Sequence, residues 1–242
     1  MDLGKKYKVV FFDLGGTLRI ALKKQAYFRH ARRKMAEIAG TELPYEDFYA
    51  MVDERYKEYR KFATTKWQEA GDEELWCKWL LFDYDQKRIR EVCHELSFQY
   101  RQSVGYRVVV DGGVEVIKTL KERGYKLGII SNLIGEHEVP DWLEEDGLDS
   151  YFDTVVLSSV CGIRKPSPEI YLLACRNLGV DPADCVSVAD NVKTDLPGAI
   201  KAGIGANIVY DSPEGKHPVV FTDELKADAV VKDFREVLNY LP

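Results

Sequence analysis

Val9-Val10-Phe11-Phe12-Asp13-Leu14-Gly15-Gly16-Thr17-Leu18-Arg19 is the stretch that decides the fold. An apolar run of strand length stops abruptly at an acid and a glycine pair, which predicts a buried strand delivering Asp13 to its carboxyl end. Open parallel α/β sheets bind ligands at the carboxyl edge, so an acid there is better placed for chemistry than for packing. Gly15 and Gly16 permit a sharp turn and leave backbone amides and carbonyls uncovered by side chains. Alone, the stretch fits equally well a strand-to-loop corner in which Asp13 caps the turn.

Working outward, the segment from Ala21 to about Tyr100 is helical in pattern, charged and aromatic, with few β-branched runs. A first helix is expected from about Ala21 to Ala39, with Leu22, Ala26, Arg33 and Glu37 on one side, joined by Met35 and Ile38, and Gly40 at its end. A second begins near Pro44 and carries Phe48, Val52, Tyr56 and Tyr59; two more are expected over Glu73–Phe82 and Lys87–Tyr100. Four helices suffice for a small bundle. From Val108 onward, strand and helix alternate. Strands are expected at Val108–Val110, Leu127–Ile130, Thr154–Leu157, Val186–Ala189, Asn207–Tyr210 and Ala229–Val231, with helices between them and a closing helix over Phe234–Leu241. Repeated units of this kind predict an α/β fold, a doubly wound parallel-sheet (Rossmann-like) core carrying an inserted all-helical domain. Residues 1–20 and 105–242 are assigned to the core and 21–104 to the insert.

The chain has 242 residues, 45% apolar and 31% charged, which is long enough for a substantial core. A net charge of −6, with Lys and Arg scattered among acids, disfavours a nucleic-acid partner. No apolar stretch approaches the ~20 residues that span a bilayer, and the N-terminal residues lack the apolar region of a signal peptide. No membrane partner and a cytoplasmic location are therefore expected. The five cysteines are odd in number and lack Cys-x-x-Cys spacing, against a disulfide framework or a zinc site.

Three further strands of the core stop on polar residues of useful type. Ser131 ends one, Lys165 follows another within Gly162-Ile163-Arg164-Lys165-Pro166, and Asp190 and Asp195 follow a third. A right-handed parallel sheet brings such ends to one edge. Each residue alone reads as a cap or an exposed charge; together they suit phosphoryl transfer. A carboxylate can attack phosphorus and split a hard displacement into two easier ones. Attack of an anion on a dianion needs neutralisation, which Mg²⁺ held by carboxylates and carbonyls, a lysine and a hydroxyl can provide.

With these residues in view, the chain resembles the haloacid dehalogenase-like hydrolase superfamily over nearly its whole length. The resemblance rests on Asp13-Leu14-Gly15-Gly16-Thr17, then Ser131, then Lys165 before Pro166, then Asp190 with Asp195 five residues on. It implies that the helical insert is a cap of the family's subgroup I, and that Asp13 is the nucleophile and a Mg²⁺ ligand. It also implies the Gly15 carbonyl and Asp190 as further metal ligands, with Asp195 orienting the metal shell or Lys165. Ser131, Asn132, the backbone at Gly16 and Lys165 would bind the phosphoryl oxygens of a small phosphorylated metabolite. Nothing in the sequence specifies an oligomeric state.

One departure bears on chemistry. Phosphatases of the family carry a second aspartate two residues after the nucleophile, as acid for the leaving group and base for water; here the position is Gly15. Losing a positioned acid/base lowers rates by ~10²–10⁴-fold, so leaving groups that need no protonation are expected to suffer least. Aryl and acyl phosphates fit. Phosphonatases of the superfamily also lack that aspartate and use a cap lysine, for which Lys23 and Lys24 are the positional candidates. Dehalogenases lack it too, but Asp190-x-x-x-x-Asp195 has the metal-site spacing of the phosphatase branch. A binding or regulatory protein that kept the anion site and lost turnover is a further alternative. The four histidines are not spaced as a metal set, and Trp67, Trp76 and Trp79 read as packing residues. Arg55, Arg60 and Arg19 are alternatives for meeting an anionic substrate, Arg19 being nearest in sequence to the site, but each is expected on a solvated face.

Overall fold

The computed structural model describes residues 7–213 and 217–242; the first six residues of the expected core segment lie outside them. Strand β1 (Val9–Phe12) is central in a six-stranded sheet and is buried along its whole length. Its alternate side chains enter two different cores. Val10 and Phe12 pack with Ile117 and Leu120 of the helix Gly113–Glu122, whereas Val9 and Phe11 pack with Ile170, Ala174 and Ala199 from helices on the opposite face. A period-2 chain between two helical layers buries every residue, which is why this strand is a continuous apolar run.

In chain order, β2 is Arg19–Leu22, β3 Tyr106–Val109, β4 Lys126–Ser131, β5 Thr154–Leu157, β6 Cys185–Ala189, β7 Ala206–Tyr210 and β8 Ala229–Val231. The large sheet has the order β5-β4-β1-β6-β7-β8 and every pairing in it is parallel. The order reverses direction at β1, leaving a crevice at the carboxyl ends of β1, β4 and β6, where Asp13, Ser131 and Asp190 emerge.

The helices are α1 (Gln25–Ala39), α2 (Tyr45–Lys66), α3 (Asp72–Glu74), α4 (Gln86–Gln102), α5 (Gly113–Glu122), α6 (Glu138–Glu145), α7 (Ser158–Cys161), α8 (Pro168–Leu178) and α9 (Asp195–Ala202). Segment Leu75–Leu80 is a π-helical turn continuing α3, and Phe234–Asn239 is a 3-10 segment rather than an α-helix. Helices α1 to α4 enclose a core of their own around Met35, Phe48, Tyr59, Trp76 and Leu96, into which Ile134 inserts from the loop after β4. Among the described residues no helix is long and apolar enough to cross a membrane.

Two expectations are corrected at the junction of the layers. Ala21 and Leu22 are not helical, and Val108–Val109 does not join the parallel sheet; β2 and β3 instead form an antiparallel ribbon, Arg19 opposite Val109 and Leu22 opposite Tyr106. The chain crosses between core and helical unit twice, and pairing these crossings satisfies backbone groups that neither domain could. Helix α1 therefore starts at Gln25, and its buried stripe is Phe28, Ala31, Met35 and Ala39 rather than the side containing Leu22. Gly40, in the left-handed conformation, ends it as expected.

Candidate active site

Asp13 is set by the sheet: its N–H donates to Val188 O of β6 at 3.0 Å, continuing the β1–β6 ladder one residue past the strand. The chain then turns back, with Gly16 N–H donating to Arg19 O (2.9 Å) and Arg19 N–H to Leu14 O (2.7 Å). Gly16 has φ +91°, and a β-carbon there would lie 2.4 Å from Asp190 Oδ2. Both the conformation and the close approach require glycine. Gly15 differs: nothing lies within 4 Å of a β-carbon built on it.

Lys165 comes from the loop before α8 and is buried. Its Nζ lies 2.6 Å from Asp13 Oδ1 and 2.5 Å from Asp195 Oδ1, and donates to Ile130 O at 3.0 Å. Burial disfavours the ammonium, but the two carboxylates outweigh it and hold the pKa above the ordinary lysine value. Asn132 clamps the lysine's backbone, donating from Nδ2 to Lys165 O and accepting the Lys165 N–H at Oδ1, both at 2.9 Å. Its side-chain amide thus positions Lys165, and Asn132 also lines the cavity beside Asp13.

Asp190 accepts from Thr17 Oγ1 at 3.1 Å, while its buried Oδ2 has no hydrogen-bond partner among the described residues. Burial, reinforced by Asp13 and Asp195, pushes its carboxyl up to about 7. Asp195 opens α9 and is raised by burial against the pull of Lys165. Asp13, Asp190 and Asp195 offer oxygens within 4.8 Å of one another. Three carboxylates facing one lysine, one with an unpartnered buried oxygen, form a hard-oxygen donor set that suits a divalent cation of the magnesium type.

Ser131 ends β4 and lines, with these groups, a cavity of about 330 Å³. The cavity unites both halves of the molecule. Arg60 and Arg101 reach it from the helical unit, Arg19 and Arg107 from the ribbon, and Arg164 from the loop carrying Lys165. Arg19 is therefore not on a bare solvated face; Arg60 borders the cavity but is exposed, and Arg55 turns away to pair with Asp83 (Nη1–Oδ1 2.6 Å). Arg101, Arg107 and Arg164 carried no sequence signal beyond Arg164 standing next to Lys165; Arg164 forms a buried ion pair with Glu69. Neither Lys23 nor Lys24 lines the cavity, and Lys24 Nζ sits 3.7 Å from the centre of the Tyr106 ring. Trp76 is packed inside the helical unit, its Nε1 donating to Ser97 Oγ at 2.7 Å. His94 and His137, far apart in sequence, meet at a ring-centroid distance of 4.4 Å beside Glu136, a juxtaposition that their spacing did not disclose.

Glyceraldehyde 3-phosphate phosphatase of Methanopyrus kandleri is 31% identical over 205 residues, covering 81% of each chain. N-acylneuraminate-9-phosphatase of Rattus norvegicus is 27% identical over 229 residues, 87% of this chain and 85% of that one. The crystal structure of 2-haloacid dehalogenase from Pseudomonas syringae pv. Tomato has the same fold, with a TM-score of 0.70 at 23% identity over 96% of this chain and 97% of that one. A hydrolase family model, haloacid dehalogenase-like hydrolase, matches residues 7–203, and the chain belongs to that family.

Proposed function

We propose that the protein is a cytoplasmic phosphatase that hydrolyses a small phosphorylated metabolite through a phosphoryl group carried on Asp13. The observation that carries this reading is the Lys165 ammonium held between Asp13 and Asp195 at the head of the β1 crevice. Phosphatases among the relatives, aligned over most of this chain, support it.

In the first step an Asp13 carboxylate oxygen bonds to phosphorus and the bond from phosphorus to the leaving oxygen breaks. Water then attacks the phosphoryl group, releasing phosphate and restoring the carboxylate. Lys165 stays charged throughout and offsets the negative charge that develops on the phosphoryl oxygens, and Ser131 donates to them. Asp13, Asp190 and the Gly15 carbonyl would hold Mg²⁺, with Asp195 behind them. When bound, the ion supplies positive charge against the phosphoryl group. Helices α1 to α4 act as a cap, from which Arg60 and Arg101 border the cavity.

Gly15 supplies no proton to the leaving group, so aryl and acyl phosphates are the better substrates. The same glycine favours a second reading, a phosphate-binding protein with little turnover. Hydrolysis of 4-nitrophenyl phosphate and acetyl phosphate, with Mg²⁺ or EDTA, by the wild type and Asp13→Asn separates the two. Turnover lost in the variant and in EDTA supports the phosphatase. Phosphate binding without turnover on either compound would support the second reading.

A further inference from the structure

Three guanidinium groups crowd one carboxylate on the wall of the Asp13 cavity. Glu138, at the start of α6 and buried, pairs with Arg101 Nε and lies 3.7 Å from Arg107 Nη1. Arg19 joins them, donating from Nη2 to Arg107 O at 3.0 Å, and among the described residues no carboxylate lies within ion-pair distance of it. Its buried Nε has no hydrogen-bond partner, and its guanidinium lies 4.2 Å from the centre of the Trp142 ring. Arg107 Nη1 itself donates to the backbone O of Arg101 (2.8 Å) and of Gly105 (3.1 Å), which fixes the direction of the side chain.

Among the described residues Glu138 is the one carboxylate within ion-pair distance of this group, so Arg19 is held without a paired anion in a place partly withdrawn from water, which is unfavourable unless an anion completes the group. Burial lowers the pKa of Arg107 to about 9, with Arg101 and Arg19 adding to the effect and Glu138 opposing it. Asp146 and Glu145 also attract Arg19, Asp146 more strongly than Arg101 repels it, and among the described residues neither forms an ion pair with it. Arg19, Arg107 and Glu138 also border a second cavity of about 670 Å³, so the cluster is a wall common to the Asp13 chamber and a larger one.

We infer that Arg19, Arg101 and Arg107 form a binding subsite for a second anionic group of the substrate, a carboxylate or a second phosphate, on the molecule whose phosphoryl group faces Asp13. This deepens the phosphatase reading and rests on it for the identity of the first group. Guanidinium pairs recognise planar carboxylates and phosphates through paired N–H donors, so the subsite selects by charge and by distance from the phosphorus. The substrate is then a doubly anionic phosphate ester.

The test uses three non-hydrolysable probes of nearly equal length: propylphosphonate, 3-phosphonopropionate and ethane-1,2-diphosphonate. Their binding to the whole protein is measured by calorimetry with Mg²⁺, for the wild type, Arg19→Met and Arg107→Met. At least one doubly anionic probe is expected to bind about tenfold or more tightly than propylphosphonate, and which one does so distinguishes carboxylate from phosphate. Either substitution is expected to bring that ratio to within about twofold, whereas a merely structural role would weaken all three probes alike. Two independent variants cover the case in which one does not fold. Equal affinities in the wild type, or a preference surviving both substitutions, would overturn the subsite. Failure of the phosphatase reading shows separately, as absent turnover of phosphate esters by a protein that still prefers a doubly anionic probe.

Discussion

Lys165 Nζ lies 2.6 Å from Asp13 Oδ1, and both side chains are withdrawn from solvent, at 3% and 10% exposure. The pair links the β1 strand end to the loop before α8, and Asn132 holds that loop from the end of β4. A charge so placed is structural as well as chemical, because it separates three carboxylates that would otherwise repel one another.

Lys165→Met is therefore expected to destabilise the fold by about 3–5 kcal/mol at neutral pH, the typical effect of stripping a buried ion pair of one partner. The loss should shrink toward pH 5, where protonation of Asp190 and Asp195, whose carboxyls are raised by burial, offsets the missing cation. Urea denaturation at pH 5 and pH 8 checks this; a pH-independent loss would contradict it.

Asp190 yields a pH dependence for the metal-free protein. Its carboxyl is raised to about 7 in the fold, above the unfolded value of about 4, so the folded state binds the extra proton between these limits. Stability then falls as pH rises from about 4 to 7, by at most about 1.4 kcal/mol per unit. Mg²⁺ favours the ionised carboxylates and should stabilise the protein more at pH 8 than at pH 5.5. Thermal unfolding with EDTA and with Mg²⁺ across this range reads both slopes.

Asp13→Asn is expected to reduce aryl phosphate hydrolysis by more than about 10⁴-fold, as loss of a covalent nucleophile does, with kcat rather than KM bearing the effect. Steady-state kinetics decides; a residual rate within about tenfold of wild type would assign the nucleophile elsewhere.

The adjacent glycines should respond in opposite ways. At Gly15 a side chain meets open space, so Gly15→Asp should fold normally and raise hydrolysis of alkyl phosphates by about 10²–10⁴-fold, the effect of a positioned acid. At Gly16 a β-carbon collides with Asp190 Oδ2, and the backbone is in a region that side chains avoid. Gly16→Ala should destabilise by about 1–3 kcal/mol and weaken Mg²⁺ binding by displacing Asp190. Paired melting curves and Mg²⁺ titrations of the two variants test the contrast.

The sequence by itself determined the parallel core and the line of polar strand ends. Both depend on local pattern: an apolar run such as Val9–Phe12 can only be a strand covered on both faces, and a parallel sheet places successive carboxyl ends on one edge. Asp13, Ser131 and Asp190 were legible for that reason, and Lys165 from its place in the loop that follows β5 and α7. Tertiary structure alone decided the rest. The β2–β3 ribbon pairs segments some eighty residues apart, and Ala21 carries no local mark of that partner. Asn132 could be read as a ligand because nothing in its neighbourhood shows that Lys165, thirty-three positions on, takes up its amide. The arginine wall is the strongest case: Arg19, Arg101 and Arg107 look like ordinary scattered charges until the ribbon and α4 bring them around Glu138. Charge acts through space with little regard for chain order, so its balance in a cavity becomes visible only when the chain is folded.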